Sequence, residues 1–300
     1  TRAVARARAS AGRLGVPLQV TGAFNGCWPS RVREYILRNF TELSISFDGT
    51  PAVQDAQRPG ARARGTYRRA ARTLEALDAA GFRYGIRMTV TRGSVASLAE
   101  SVAHIAARFR PPTIQAEPAF ATGRARRSPA TLDEPDEFLR QFAAAWDVAA
   151  ARGIRLFYSG ARPELLTRRF CLAPCRALVV TPAGDVSACF EVYGRRHPLS
   201  RAFLVGRWDG AGDFRLDPAA VRRHRRRSVL QSRVCDGCFC RWHCAGACAV
   251  KEGRGGRRLP AGEVPLRCRV NQELTKFLIL KQIQSSGRPV WLRPGGPATR

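Results

Sequence analysis

Seven of the ten cysteines lie in the second half of the chain at spacings that are typical of a metal centre. Four of them form a C-x2-C-x5-C-x3-C run, and a fifth follows after a gap of nineteen residues: Cys235, Cys238, Cys244, Cys248 and Cys268. Upstream, twelve residues separate Cys171 from Gly184, and a G-x4-C step leads from Gly184 to Cys189. Thiolates this close together are soft ligands, which bind iron–sulfur clusters, zinc or Cu(I).

A disulfide framework is the alternative use of these cysteines. Such frameworks stabilise small secreted domains that lack a large core. This chain has 300 residues, of which 45% are hydrophobic, and its sequence shows no secretory signal pattern. The composition therefore favours metal binding.

The cysteine spacing resembles the signature of the SPASM domain, a C-terminal extension found in a subfamily of radical S-adenosylmethionine (radical SAM) enzymes. Two shorter segments add to the resemblance over about residues 160–285. The run T-P-A-G-D-V from Thr181 to Val186 resembles the hairpin of that domain, and C-A-G-A-C from Cys244 to Cys248 resembles its C-x-G-x-C motif. This resemblance implies two auxiliary [4Fe–4S] clusters.

The resemblance also implies which cysteines hold each cluster. One cluster takes three cysteines of the run and the final cysteine: Cys235, Cys238, Cys244 and Cys268. The other takes three further cysteines and an additional one that some members possess: Cys171, Cys189, Cys248 and Cys175. Cys240 and Cys27 remain, and we expect each to be a small buried side chain.

The first half of the chain alternates apolar, β-rich runs with stretches of helical periodicity. The predicted strands are Leu18–Thr21, Leu43–Phe47, Tyr84–Val90, Thr113–Glu117 and Ile154–Tyr158. Three helices are predicted between them: one capped by Ser94, one with Ala71, Leu74 and Leu77 on one face, and one with Phe138, Phe142 and Trp146 on one face. This alternation predicts a parallel sheet covered by helices.

Two local segments resemble the radical SAM partial barrel. The segment L-S-I-S-F-D-G-T-P, residues 43–51, continues to Asp55 and Arg58 and resembles the fourth strand of that barrel, and Phe24-Asn25-Gly26 resembles the end of the third. The C-x3-C-x2-C motif of the family does not occur, since Cys27 is the only cysteine in residues 1–170. We therefore expect a fragment that lacks the first βα units, or else a degenerate protein that keeps only the SPASM clusters.

These observations predict three regions. A partial parallel (β/α) radical SAM barrel occupies residues 1–158, a small loop-rich SPASM iron–sulfur domain occupies residues 159–285, and a tail occupies residues 286–300. The full-length parent would also bind S-adenosylmethionine and a third [4Fe–4S] cluster. This chain alone is expected not to cleave S-adenosylmethionine.

Three residues of the first half match positions near the bound S-adenosylmethionine in the family. They are Ser46 at a strand end, Arg87 on the next strand and Glu117, which begins an E-P segment. Structural roles are the alternative for each: a strand-end cap for Ser46, a solvated face for Arg87 and an ion pair for Glu117. The sequence does not identify the catalytic base.

The formal charge of +28 raises the question of nucleic-acid binding. Nearly all basic residues are arginines, and they are dispersed apart from the run Arg222–Arg227. No basic groove interleaved with aromatic residues is visible, so we expect no specific nucleic-acid partner. No apolar run is long enough to span a membrane, and a cytoplasmic location is expected.

The resemblance implies that the parent modifies a ribosomally made peptide or protein by hydrogen abstraction, with an electron donor such as flavodoxin or ferredoxin. An anaerobic sulfatase-maturing enzyme is less favoured, because Phe190 and Glu191 follow Cys189 where those enzymes carry a catalytic aspartate. Two alternatives from other classes remain. One is a non-catalytic iron–sulfur electron carrier or partner-binding remnant, and the other is a zinc-bound nucleic-acid-binding module.

Overall fold

The protein divides into two compact units, Thr1–Ser159 and Gly160–Arg300. The structure is a computed structural model that describes residues 2–61, 64–119, 130–132, 134–171, 173, 177–250 and 266–286. Of the predicted site residues, Cys175 lies outside the described residues. Among the helices in the described ranges, none combines the length and the apolar character needed to cross a bilayer.

The first unit is a five-stranded parallel sheet whose strands follow one another in chain order, β1-β2-β3-β4-β5. Its strands are β1 (Thr21–Phe24), β2 (Glu42–Ser46), β3 (Tyr84–Val90), β4 (Thr113–Pro118) and β5 (Arg155–Phe157). Its helices are α1 (Arg2–Leu14), α2 (Ser30–Asn39), α3 (Pro51–Gln57), α4 (Tyr67–Ala79), α5 (Leu98–Arg108) and α6 (Pro135–Ala150). The prediction of a parallel α/β fold is confirmed.

The core of this unit lies on one face of the sheet. Alternate residues of the central strands are buried there, among them Leu43, Ile45, Ile86 and Met88. Helices α4, α5 and α6 contribute apolar side chains at helical spacing, such as Leu74, Leu77, Val102, Ile105, Phe138 and Phe142. The opposite face of β3 carries the less buried residues of that strand, because successive side chains of a strand point to opposite faces.

Three details of the sequence prediction are wrong. Cys27 is half-buried rather than buried. The first strand is Thr21–Phe24 rather than Leu18–Thr21, and Leu18 is exposed. Gly22 and Ala23 have low β propensity, so their sequence does not indicate a strand. The strand forms because these residues pair with β2. Ser94 does not cap a helix: a short 3-10 turn, Val95–Ser97, precedes α5. The hydroxyl of Ser94 instead accepts a hydrogen bond from the backbone N–H of Thr91.

An ion pair between the buried Asp48 and the partly exposed Arg58 closes the loop that follows β2. The carboxylate of Asp48 accepts hydrogen bonds from Arg58 Nε at 2.7 Å and Nη2 at 3.0 Å, and from the backbone N–H of Thr89 at 2.9 Å. Asp55 accepts from the backbone N–H of Tyr67 at 2.7 Å, where α4 begins. The Asp48, Asp55 and Arg58 motif thus ties β2, α3, α4 and β3 together.

The second unit contains a four-stranded antiparallel sheet in the order β6-β7-β8-β9. The strands are β6 (Val179–Val180), β7 (Asp185–Ser187), β8 (Leu204–Trp208) and β9 (Phe214–Leu216). The helices are α7 (Ser200–Phe203), α8 (Pro218–Arg225), α9 (Arg241–Cys244) and α10 (Leu266–Ser285). The hairpin predicted at Thr181–Val186 is present, since the N–H of Thr181 donates to the carbonyl of Asp185, and Gly184 has a φ of 78°.

Candidate functional site

The three residues expected near S-adenosylmethionine lie on one face of the parallel sheet. Ser46 of β2 is the register partner of Arg87 in β3, and Arg87 is the partner of Gln115 in β4. Register partners on neighbouring strands project to the same side. Glu117 is two residues beyond Gln115, so it belongs to that face as well.

Glu117 is held in place by two donors. Its Oε1 accepts from Gln115 Nε2 at 2.8 Å and from the backbone N–H of Ser159 at 2.9 Å. Glu117 is buried, whereas Arg87 is exposed and Ser46 is half-buried. The face therefore offers a hydroxyl, a guanidinium and a carboxylate in neighbouring strands, which are groups that bind a zwitterionic amino acid.

In the second unit, three of the predicted ligands line one cavity. Cys171, Cys189 and Cys248 border a space of about 730 Å³. Burial raises the pKa of the Cys189 thiol, and the neighbouring thiols of Cys248 and Cys171 raise it further. These three side chains come from widely separated positions in the sequence, yet they share one concave site.

The other predicted ligand set surrounds the short helix α9. Cys240 is 1% exposed, and its Sγ lies 3.5 Å from Cys238 Sγ. A hydrogen bond with Cys240 lowers the pKa of Cys244 to about 6, although burial opposes this shift. The same contact raises the pKa of Cys240. Cys240 is thus buried as expected, but it touches two of the predicted ligands.

Helix α10 brings its polar side chains to this second set. The Nε2 of Gln272 donates to Cys238 Sγ at 3.4 Å, and a hydrogen bond with Asn271 contributes to the lowered pKa of Cys244. Cys268 stands on the same helix, one turn before these two residues. Cys235 differs from the others, because its thiol donates to Ser232 Oγ at 3.3 Å.

Backbone amides at the C-terminal end of α9 point toward Cys244. Residues Ala245, Gly246 and Ala247 all have positive φ, at 49°, 77° and 60°. Backbone N–H groups of Gly246 and Ala247 bond to the Cys244 thiol and help to lower its pKa. Two alanines in the left-handed region are strained, and successive N–H groups in such a turn form a concave anion site.

Arg162 connects the two cysteine sets. Its Nε donates to the carbonyl of His243 at 3.2 Å, and its Nη1 donates to the carbonyl of Phe170 at 2.7 Å. Its Nη2 is buried without a hydrogen-bond partner among the described residues. Burial lowers the pKa of Arg162, while Cys244 and Cys171 act in the opposite direction through their negative charge.

The donor chemistry fits thiolate-ligated clusters. No three cysteine, histidine or carboxylate side chains within the described ranges converge as ligands of one metal ion. Thiolates are ligands of both zinc and iron–sulfur clusters. The unpartnered Arg162 Nη2 and the amides beside Cys244 are donors suited to the sulfur atoms of an anionic cluster.

Sequence reasoning missed Arg162, Asn271 and Gln272. Nothing in the sequence around Arg162 indicates that its side chain reaches two distant carbonyls. Glycine stands at two of the turns beside the cysteines: Gly246 of the C-x-G-x-C motif and Gly237 of the C-x2-C segment have positive φ, 77° and 73°.

Comparisons with known proteins give a fold relationship. No protein-family model matches the sequence, and no curated protein matches it. Among solved structures, "Native anSMEcpe with bound AdoMet" matches with a TM-score of 0.66 at 14% identity, covering 93% of this chain and 78% of the other. "Native anSMEcpe with bound AdoMet and Cp18Cys peptide" also matches at 0.66 and 14% identity, covering 92% and 78%. The chain therefore shares its fold with anSMEcpe.

Proposed function

We propose that this chain is part of a radical SAM enzyme that carries two auxiliary [4Fe–4S] clusters and modifies a ribosomally made peptide or protein. The observation that carries the proposal is the convergence of Cys171, Cys189 and Cys248 on one cavity, as the SPASM resemblance requires. The fold shared with anSMEcpe, which is described with bound AdoMet, supports the radical SAM assignment.

The polar face of the parallel sheet is the proposed site for S-adenosylmethionine. Arg87 is placed to pair with the carboxylate of the methionyl group, because a guanidinium matches a carboxylate with two parallel hydrogen bonds. The hydroxyl of Ser46, its register partner, lies beside it. Glu117, oriented by Gln115 and the N–H of Ser159, supplies a fixed negative charge for the cationic part of the ligand.

Each auxiliary cluster has its proposed ligands: Cys235, Cys238, Cys244 and Cys268 for one, and Cys171, Cys175, Cys189 and Cys248 for the other. A [4Fe–4S] cluster bound by four thiolates supplies one-electron transfer and has no open iron site. Arg162 holds the backbone next to Cys171 and Cys244. The amides of Gly246 and Ala247 stabilise the thiolate of Cys244. These residues favour an electron relay rather than a substrate-binding metal.

The proposed substrate is a peptide. A protein of the same fold, anSMEcpe, is described with the bound Cp18Cys peptide, which supports this choice. An electron donor such as flavodoxin or ferredoxin completes the proposed set of partners, and the cytoplasm is the proposed location.

The test begins with the DNA upstream of the printed sequence. An in-frame C-x3-C-x2-C motif would identify the complete enzyme, and a short peptide gene nearby would identify its candidate substrate. The reconstituted enzyme should release 5′-deoxyadenosine and change the mass of that peptide, and Arg87→Met should raise the KM for S-adenosylmethionine. An Arg83→Met control should not, because Arg83 is exposed and pairs with Glu42 at 3.7 Å. An unchanged peptide mass would contradict the proposal.

A non-catalytic iron–sulfur electron carrier is the second candidate. The observation that favours it is the missing C-x3-C-x2-C motif in the sequence. It shares the two auxiliary clusters with the first candidate, so iron content does not separate the two. Absence of the motif upstream would favour the electron carrier.

A further inference from the structure

The cavity that holds Cys171, Cys189 and Cys248 has an arginine-rich rim. Its exposed members come from two chain segments: Arg168, Arg169, Arg222, Arg223 and Arg226. The half-buried Arg227 also lines the cavity. We call these six residues the arginine rim.

The arginine rim has no ion pair with a carboxylate among the described residues. The ion pairs found in this unit join other arginines to Asp185, Asp209 and Asp236. Asp217, at the start of α8, interacts with the rim: backbone amides of Ala220 and Ala219 lower its pKa, and Arg223 and Arg222 contribute. At the same cavity, the negative charge of Glu191 contributes to the raised pKa of Cys189. A cluster with four thiolates adds only about two negative charges. Positive charge therefore remains in excess at the rim.

Helix stability explains only part of this arrangement. Arg222 and Arg223 stand in the last turn of α8, where cations interact favourably with the helix dipole. Arg168 and Arg169 belong to the segment before Cys171, and Arg169 Nη2 donates to the carbonyl of Arg225 at 3.1 Å. Two segments of like charge thus meet at one cavity, which costs electrostatic energy unless an anion binds there.

We propose that the arginine rim binds an acidic segment of the peptide substrate, holding glutamate or aspartate side chains beside the cavity of Cys171, Cys189 and Cys248. This inference names the substrate class of the proposed function and rests on it. Each guanidinium offers a planar pair of donors that matches a carboxylate. Charge complementarity of this kind raises the association rate and selects between peptides.

A peptide fits the arginine rim better than the other anionic partners. Single-stranded nucleic acid binds by stacking bases on exposed aromatic rings. Here the ring of Phe170 is covered by Arg162 at 4.8 Å and that of Phe203 by Arg227 at 4.7 Å. A folded acidic protein presents a convex surface, whereas an extended peptide can lie along the arginine rim and place its side chains between the two arginine segments.

The test measures binding of labelled peptides to the reconstituted full chain by fluorescence anisotropy. The probe is a short peptide with several glutamates, and the matched probe carries glutamine at the same positions. The rim variant combines Arg222→Glu, Arg223→Glu and Arg226→Glu. The control variant combines Arg2→Glu, Arg6→Glu and Arg13→Glu on α1, which changes the net charge equally on exposed positions of the other unit.

The glutamate peptide should bind at least about tenfold more tightly than the glutamine peptide, a difference of about 1.4 kcal/mol. The rim variant should lose this preference, the control variant should keep it, and added salt should weaken it. Equal binding of the two peptides, or an equal loss in the control, would overturn the inference. So would a single-stranded oligonucleotide that displaces the peptide and binds more tightly at the same arginines.

Iron content separates this inference from the proposed function. If the wild-type chain holds its iron but does not prefer the glutamate peptide, the acidic-peptide inference fails alone. If the wild-type chain holds no iron, the proposed function fails, and the peptide comparison still decides the role of the rim.

Discussion

Arg162 donates from Nη1 to the carbonyl oxygen of Phe170 at 2.7 Å. Phe170 directly precedes Cys171, and the Nε of the same guanidinium donates to the carbonyl of His243, which directly precedes Cys244. One side chain therefore fixes the backbone before a proposed ligand of each cluster. The planar fork of arginine suits such a bridge, because its donors have fixed relative directions.

Arg162→Gln should disturb both clusters at once. Hydrogen bonds from charged groups contribute about 1.5–3 kcal/mol each, and the variant leaves two carbonyls without their donor. Iron should be lost faster to a chelator, and the EPR signals of both reduced clusters should change. Arg215→Gln is the matched control, since Arg215 is exposed and pairs with Asp209 at 3.5 Å. Unchanged EPR signals and iron retention would contradict this role.

Cys175→Ala and Cys240→Ala should have opposite outcomes. Cys175 is a proposed ligand, so its loss should remove iron or alter the EPR signal of one cluster. Cys240 is a buried thiol, and its replacement should cost about 1 kcal/mol of stability while both clusters remain. Because Cys240 touches the proposed ligand Cys238, this comparison distinguishes a ligand from a thiol that only neighbours one. If Cys240→Ala loses a cluster while Cys235→Ala does not, Cys240 replaces Cys235 in the ligand set.

Asp48→Ala should destabilise the parallel-sheet unit. The carboxylate is 2% exposed and accepts three hydrogen bonds, two of them from Arg58. The side chain of Arg58 is 28% exposed and can be hydrated after the change, so we expect the lost hydrogen bonds to cost about 1.5–3 kcal/mol. Urea unfolding followed by circular dichroism should show this loss. Glu42→Ala, which removes an exposed pair with Arg83, should cost about 0–1 kcal/mol, and an equal effect of both variants would refute the structural role of Asp48.

The sequence predicted those strands and helix faces that follow from local periodicity and composition. Strands β2 to β5 and the faces of α4 and α6 followed from alternating or helical spacing of apolar residues. It misplaced β1, because Gly22 and Ala23 join that strand through pairing with β2 rather than through their own propensity. The predicted capping role of Ser94 is wrong for a similar reason, since its hydroxyl accepts a hydrogen bond from the backbone N–H of Thr91.

In the candidate site, too, some features could be predicted from the sequence and others depend on tertiary contacts. The resemblance to the SPASM domain implied that Cys171, Cys189 and Cys248 belong to one site, and these three cysteines do line one cavity. The bridge made by Arg162 and the contact between Cys240 and Cys238 depend on tertiary folding. No spacing rule encodes them, so they could not be predicted.

The chain as printed should not cleave S-adenosylmethionine. Reductive cleavage in the resembled family takes place at the cluster of the C-x3-C-x2-C motif, and the sequence contains no such motif. Chromatography after incubation with dithionite should show no 5′-deoxyadenosine above a blank without protein. Formation of that product would mean that an auxiliary cluster has an open iron, and the proposed closed ligand sets would then be wrong.

Iron and sulfide content after anaerobic reconstitution tests the central claim most directly. Two four-thiolate sites predict about eight iron and about eight sulfide per chain, with a brown colour that fades in air. A content near twelve iron would mean that a third cluster is present. A colourless protein with stoichiometric zinc, held by four thiolates at about 2.3 Å, would contradict the account.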